Sequence, residues 1–164
     1  MIATQAQATL VLIKPDAMKR GLLGTVLSYL DRLGLELVGA KLTRVSRPLA
    51  EAHYHHIRTK PFFEETVEYL QGKLHGTRAI LALVLWGDDA IERVRQVIGA
   101  THPEKAEPMS IRGALGRMAT NGLMENVIHS SSDSAEAKRE IALWFAPHEV
   151  LLDDSPSPRA AMSG

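Results

Sequence analysis

A histidine and a glutamate near the C-terminal end form the most reactive combination of residues in the chain. The segment NVIHSSSDSAEAKREIALWF places His129 at the end of a short apolar run, directly ahead of an amphipathic helix. The unpaired N–H groups and the dipole of a helix N-terminus favour anions. Glu140 lies two helical turns after Asp133, so both fall on one helix face that can turn back toward His129. A carboxylate bonded to one imidazole nitrogen fixes the tautomer and leaves the other nitrogen free for nucleophilic attack.

Each of these residues also has an ordinary structural interpretation. His129 would simply close a strand, since histidine is intermediate in burial. Ser131 would serve the start of the helix through bonds to its backbone. Glu140 would be a solvated charge on the helix surface. The spacing alone does not separate these interpretations from the catalytic one.

Phosphate-binding side chains are scattered in or beside the predicted loops. Arginine binds phosphate oxygens through a two-pronged fork and lysine supplies a compact charge, so a nucleotide can be held without a glycine-rich loop. The sequence contains no G-x-x-x-x-G-K-[ST], G-x-G-x-x-G or G-x-S-x-G pattern. Any one of these side chains alone is usually a surface group. The candidates are Lys14, Arg95, Thr101 and Arg112.

A group of three histidines raises the alternative of a metal site. His53, His55 and His56 stand at positions i, i+2 and i+3 of a predicted helix. Side chains on a helix meet at spacings of three or four residues, so this pattern does not bring three imidazoles together. The spacing favours a solvated helix face and no dedicated metal site.

Composition excludes several broad classes of protein. The chain of 164 residues carries 19 Lys and Arg against 19 Asp and Glu, so its net charge is zero. A neutral chain without a long basic stripe disfavours nucleic acid and anionic membranes as partners. There are no cysteines, which excludes disulfides and thiolate metal sites. The apolar run near the start is too short for a signal peptide or a membrane span, so we predict a cytoplasmic protein.

The hydrophobic pattern predicts one domain of alternating strands and helices. Helical stripes lie between the strands, and residues 100–125 read as a long loop. The order fits an α/β fold of the α+β sandwich type: a ferredoxin-like split βαβ plan, with a four-stranded antiparallel sheet and helices covering a face. We assign residues 1–151 to this domain and residues 152–164 to a flexible Ser/Pro-rich tail. The predicted strands are TLVLI, LELVGAKLTRV, RAILALVLWG and NVIH.

Five separated blocks, taken together, resemble the nucleoside diphosphate kinase family. They are LVLIKPDAMKRGLLG, HYHHIRTKPFF, VRQVIGATHP, SIRG and NVIHSSSDSAEAKREIALWF, and they occur in the family's order from about Thr9 to Leu151. The histidine block is the most diagnostic, followed by the KPD block. A set of ordered blocks is far more specific than any single pattern.

The resemblance implies a role for each residue around the histidine. His129 would be the nucleophile that becomes phosphohistidine. Glu140, helped by Ser131, would orient its imidazole, and Tyr54 would sit beside it and order the pocket. Lys14 would contact the sugar hydroxyl and the phosphoryl group in transfer.

The resemblance also implies the nucleotide-binding set. Asn126 would contact the sugar hydroxyl, Phe62 would stack on the base, and Ile57 would lie on the same apolar wall. Each position carries the family's residue type except Ile57, where the family itself varies. The residues expected to bind phosphates are Arg95, Thr101 and Arg112.

The chain departs from the family in several places near the site. Ser130 follows the histidine where the family has glycine, and Glu125 precedes Asn126 where the family is often basic. Ser132 stands where the family has an aspartate shortly after the serine, and Ala114 stands where the family has an aspartate after SIRG. The chain also has extra residues within 72–78 and 114–125, and the second of these insertions borders the predicted pocket.

The resulting functional prediction is a two-step phosphoryl transfer. The γ-phosphoryl of a nucleoside triphosphate would pass to His129 and then to a second nucleoside diphosphate. Mg²⁺, held mainly by the nucleotide phosphates, would be the cofactor. The family resemblance suggests a homo-oligomer, a hexamer first and a tetramer second. The alternative is a non-catalytic, regulatory nucleotide-binding protein on the same scaffold.

Overall fold

A computed structural model describes residues 6–152 of the chain. The predicted tail therefore lies, from residue 153 onward, outside the described residues. The strands are β1 (Ala6–Ile13), β2 (Glu36–Thr43), β3 (Ile80–Asp88), β4 (Arg117–Met118), β5 (Met124–Glu125) and β6 (Ile128–Ser130). The helices are α1 (Pro15–Lys19), α2 (Leu23–Asp31), α3 (Arg47–His53), α4 (Phe63–Leu70), α5 (Ala90–Ile98), α6 (Ile111–Leu115) and α7 (Ser134–Trp144).

The main sheet has the predicted four strands. Their order is β2-β3-β1-β6, and each neighbouring pair is antiparallel. β1 and β3 occupy the centre and pair along their full lengths. The ferredoxin-like α/β prediction is confirmed by this sheet and by the structural relatives described below.

Helices cover both faces of this sheet, whereas the hydrophobic pattern predicted cover on a face. Successive strand residues point to opposite sides, and in β1 both sets are buried. Val11 and Ile13 pack in a core with α2 and α5, while Leu10 and Leu12 pack in a second core with α3, α4 and α7. The uninterrupted apolar run of β1 is the sequence mark of a strand that is buried on both faces.

The predicted loop over residues 100–125 is wrong in detail, because this stretch contains short regular elements. It holds a 3₁₀ turn at Pro103–Lys105, helix α6 and the small β4–β5 hairpin. Ser110 caps α6 by accepting a hydrogen bond from Gly113 N–H at 3.2 Å. Elements of two to five residues are too short to produce a hydrophobic period, which is why the pattern does not reveal them.

Candidate active site

His129 stands on the short edge strand β6 and faces the α3–α7 side of the sheet. It pairs across the strands with Leu12, whose side chain belongs to the core on that side. Opposite residues of an antiparallel pair point to the same face. The imidazole is therefore presented to helix α7, as its position ahead of that helix suggested.

Glu140 reaches the histidine from the second turn of α7. Its Oε1 lies 3.0 Å from His129 Nε2, and its Oε2 accepts the Ser131 hydroxyl at 2.6 Å. The Ser131 oxygen in turn accepts the Leu10 backbone N–H at 3.2 Å, which ties this arrangement to the central strand. Asp133 caps the start of α7 by accepting Glu136 N–H at 2.9 Å. The reciprocal bond of a full capping box is replaced by an ion pair between Glu136 and Arg139.

The electrostatics keep the imidazole neutral. Burial, together with the positive charges of Lys14 and Arg112, lowers the pKa of His129 well below its usual value. Burial raises the pKa of Glu140, and the bond from Ser131 opposes that rise. A neutral imidazole that donates from Nε2 to a carboxylate carries its lone pair on Nδ1. Among residues 6–152, Nδ1 has no hydrogen-bond partner, so its lone pair is available to an electrophile.

A second histidine, His53, lies against the first and was not assigned a role from the sequence. It is fully buried, its ring meets the His129 ring edge to face at 4.4 Å, and its Nδ1 accepts the Trp144 indole N–H at 3.1 Å. Tyr54 is linked to the His129 ring through His53, with a His53–Tyr54 ring distance of 4.8 Å. Ligand atoms of His53, His129 and Glu140 lie within 4.8 Å of one another. The solvated helix face predicted for His53, His55 and His56 is wrong for His53, which is buried, whereas His55 and His56 are exposed.

Lys14 and Asn126 form the second centre of the site. Lys14 follows β1, is buried, and donates from Nζ to Asn126 Oδ1 at 2.7 Å. Asn126 Nδ2 donates to the Thr101 carbonyl at 3.1 Å. Thr101, one of the predicted phosphate-binding residues, is therefore adjacent to this pair through its backbone. Burial and the charge of Arg112 lower the pKa of Lys14 to about 7.

The two predicted arginines approach from different helices. Arg112 on α6 donates to the carbonyls of Gly99 and Ile128 at 3.1 and 2.8 Å, so its guanidinium is fixed beside β6. Its buried Nε has no partner among the described residues, and burial lowers its pKa to about 10. Arg95 on α5 is exposed and donates to the Ser132 carbonyl at 3.1 Å. Both cations thus border the backbone next to His129.

The backbone between Asn126 and His129 is strained. Val127 has φ 69°, a conformation that β-branched residues almost never adopt. Two contacts hold it: its N–H donates to Asp16 Oδ2 at 3.1 Å, and its carbonyl accepts Lys14 N–H at 2.9 Å. Tyr69 donates its hydroxyl to the other Asp16 oxygen. Strain of about 1–3 kcal/mol persists only where surrounding contacts over-determine it, and here it orients the residues on both sides.

Phe62 borders a cleft next to Lys14 and Asn126. Its ring is 50% exposed. The cleft has a volume of about 150 Å³ and also receives Leu123 and Met124 from the β4–β5 hairpin. Ile57 does not line this cleft and instead packs, partly buried, against the α3–α4 core. The sequence analysis did not identify three parts of this site: Asp16, Tyr69 and the hairpin residues Leu123 and Met124. Asp16 could have been identified from its place in the KPD block.

Comparison with known proteins agrees with this geometry. The family model described as nucleoside diphosphate kinase matches residues 7–150. A nucleoside diphosphate kinase of Pyrococcus horikoshii is 40% identical over 158 residues, covering 96% of this chain and 94% of the relative. One from Staphylococcus aureus is 41% identical over 150 residues, covering 92% and 95%.

Solved structures give the same result. A transition-state mimic of the Borrelia burgdorferi nucleoside diphosphate kinase, with bound vanadate and ADP, aligns with a TM-score of 0.82 at 32% identity over 95% of this chain and 96% of that one. The Halobacterium salinarum nucleoside diphosphate kinase in complex with CDP aligns with a TM-score of 0.83 at 36% identity, over 96% and 97%. The chain belongs to the nucleoside diphosphate kinase family.

Proposed function

We propose that His129 Nδ1 attacks the γ-phosphorus of a nucleoside triphosphate. The N–P bond forms as the bond to the β–γ bridging oxygen breaks, and the nucleoside diphosphate leaves with that oxygen. In the second step, the terminal phosphate oxygen of a second nucleoside diphosphate attacks the phosphorus. A new P–O bond forms as the N–P bond to His129 breaks. The observation that carries this proposal is the neutral, Glu140-bonded imidazole with a free Nδ1 beside Lys14 and Arg112. A covalent intermediate allows one site to serve donor and acceptor in turn.

The roles of the surrounding residues are proposed from their positions. Lys14 and Asn126, bonded to each other at 2.7 Å, would hold the sugar hydroxyl, and Lys14 would also contact the phosphoryl group. Phe62 would stack on the base beside them. Positive groups placed where charge develops lower the barrier of phosphoryl transfer without forming covalent bonds. The groups proposed to bind phosphate oxygens are Arg95, Thr101 and Arg112.

Mg²⁺ is proposed to enter with the nucleotide. Glu140, the carboxylate beside His129, is already engaged by His129 and Ser131, so its oxygens are not free to bind a metal. The other groups proposed for the site are cationic or neutral donors, which suit phosphate oxygens. When bound, Mg²⁺ neutralises charge on the phosphate oxygens. Loss of activity with a chelator and its return with Mg²⁺ would support this assignment.

The direct test is incubation with ATP labelled at the γ-phosphate. We expect an acid-labile, base-stable label on the protein and its absence in His129→Ala, which should still bind ADP through Lys14 and the arginines. Initial rates should give parallel lines, the kinetic mark of a covalent intermediate. Intersecting lines, or exchange by His129→Ala, would mean direct transfer between two nucleotides. A protein that binds nucleotide but never takes the label would be the regulatory alternative.

A homo-oligomer is also proposed, with a hexamer before a tetramer. The edge strand β2 exposes two large apolar side chains, Leu37 at 54% and Leu42 at 66%. Leu151 N–H donates to the Val38 carbonyl on this edge, but the two leucines stay exposed. Large apolar side chains exposed on an edge strand form a surface that proteins usually cover. Light scattering after size exclusion tests this, and a monomer at micromolar concentration would refute it.

We also propose a cytoplasmic location for the protein. Across residues 6–152, none of the helices has both the length and the apolar character to cross a membrane. A cytoplasmic location stays a prediction, to be checked by cell fractionation.

A further inference from the structure

Two segments that are far apart in the chain, residues 72–78 and 114–125, meet around the buried carboxylate of Glu125. His75 of the first segment places Nε2 3.0 Å from Oε1 of Glu125 in the second. Both side chains are less than a tenth exposed. Arg117 donates from Nε to the other Glu125 oxygen at 2.5 Å, and Arg20 NH1 lies 3.8 Å from the same oxygen. The carboxylate of Glu125 is thus bonded on one oxygen by His75 and on the other by Arg117.

Few other bonds hold the hairpin that carries Glu125 to the body of the protein. β4 and β5 pair only through Arg117 with Glu125 and Met118 with Met124, and a turn over residues 119–122 closes them. These bonds are internal to the hairpin. A two-stranded hairpin of this size is not stable alone, so its placement depends on anchors such as Glu125.

The opposite side of the hairpin forms part of the nucleotide cleft. Leu123 and Met124 line the cleft together with Phe62. The side chain of the next residue, Glu125, instead contacts His75 and Arg117. Asn126 follows immediately and accepts the Lys14 ammonium bond. Any shift of Glu125 therefore moves both the apolar wall of the cleft and the amide that contacts Lys14.

We propose that Glu125 is a positioning residue for nucleoside binding. Its buried carboxylate, held by His75 and Arg117, fixes the hairpin so that the Leu123–Met124 wall and Asn126 meet the base and sugar. Arg95 and Arg112, the arginines proposed to bind the phosphates, are held instead by the carbonyls of Ser132, Gly99 and Ile128, so phosphate binding should depend far less on Glu125 than nucleoside binding does. This inference rests on the proposed function, because it assigns base and sugar to the Phe62 cleft.

The test compares Glu125→Gln with Glu68→Gln. Glu68 pairs at the surface with Lys73 at 3.6 Å, and Lys73 lies in the same segment, residues 72–78, as His75. Glu68 is therefore a matched control outside the site. In calorimetric titrations we expect Glu125→Gln to weaken ADP binding about ten-fold, the effect of losing one charged hydrogen bond, and Glu68→Gln to leave it unchanged. Binding of inorganic tripolyphosphate should be unchanged in both variants. The rate of phosphorylation at saturating ATP should also stay within about two-fold of the unmodified protein.

Two results would overturn the proposal. One is unchanged ADP binding by a folded Glu125→Gln variant. The other is an equal loss for ADP and tripolyphosphate, which would indicate general damage to the site. If Glu125→Gln does not fold, two variants of His75 test the same contact. His75→Leu should weaken ADP binding, whereas His75→Gln, which keeps an N–H donor, should retain it. Equal ADP affinities of those two variants would refute the role. Failure of the wild-type labelling experiment, by contrast, would concern the reaction and leave these binding results standing.

Discussion

The carboxylate of Glu140 joins the His129 imidazole to the central strand. Oε1 meets His129 Nε2 at 3.0 Å, and Oε2 accepts from Ser131, whose oxygen accepts from the backbone of β1. Glu140 is only 2% exposed, so water cannot substitute for either bond. The histidine is therefore held in a single tautomer, with Nδ1 directed away from the carboxylate.

Replacing Glu140 by Gln should slow the reaction without abolishing it. The nucleophile remains, but its tautomer is less firmly set, so we expect the first-order rate of His129 phosphorylation to fall by about ten- to a hundred-fold, as for other residues that orient a reactive group. ADP affinity should change little. Rapid-quench measurement at saturating ATP gives the rate. A variant as fast as the unmodified protein would show that the carboxylate has no orienting role.

Lys14 should make nucleotide binding depend on pH. Burial and the charge of Arg112 lower its pKa to about 7, so the free protein loses the ammonium charge as the pH rises above that value. Bound phosphates favour the charged form, so ADP binding at about pH 8 should take up a proton, and ADP affinity should fall between about pH 7 and 9. Titration calorimetry in buffers of different ionisation enthalpy measures this uptake. Lys14→Met should show none, and a flat pH profile of the unmodified protein would contradict the expectation.

The sequence predicted the groups that act through local spacing. His129, Ser131 and Glu140 lie within one strand–helix unit, and the structure brings them into contact. The apolar runs likewise predicted the four strands, because burial of a strand leaves a direct mark on composition.

Contacts between distant segments left no such mark. His75 and Glu125 are 50 residues apart and lie in two segments without a hydrophobic period. His53 was considered with its neighbours in the chain, whereas its true neighbours are His129 and Trp144. The packing of Ile57 against the core, outside the lining of the Phe62 cleft, also depends on a 3₁₀ turn that the local sequence does not predict.

Asp16 should prove important for both stability and activity. It is fully buried and accepts the Val127 N–H and the Tyr69 hydroxyl. Asp16→Ala leaves both donors buried without a partner, which should lower the free energy of unfolding by about 2–4 kcal/mol. Urea denaturation measures this, with Asp31→Ala, at an exposed carboxylate on α2, as the control expected within about 0.5 kcal/mol of the unmodified protein.

Activity of the folded Asp16→Ala protein should fall as well, because Val127 loses a contact that keeps its left-handed backbone in place. Asn126 and His129 stand on either side of that residue. Full activity at a temperature where the variant is folded would show that the strained backbone does not position them.

Discrimination among nucleobases should be weak. The cleft presents the face of Phe62 and the apolar side chains of Leu123 and Met124, and stacking is possible for every base. Phe62→Ala should therefore raise the KM for ATP, GTP, CTP and UTP by similar factors, corresponding to about 1–3 kcal/mol of lost stacking. Glu65 is the one carboxylate among the described residues that line this cleft, and it is exposed to water. Glu65→Gln should leave the ratios among the four donors unchanged. A single base favoured by more than about a thousand-fold, or a preference that disappears in Glu65→Gln, would mean that a hydrogen-bonded site reads the edge of the base.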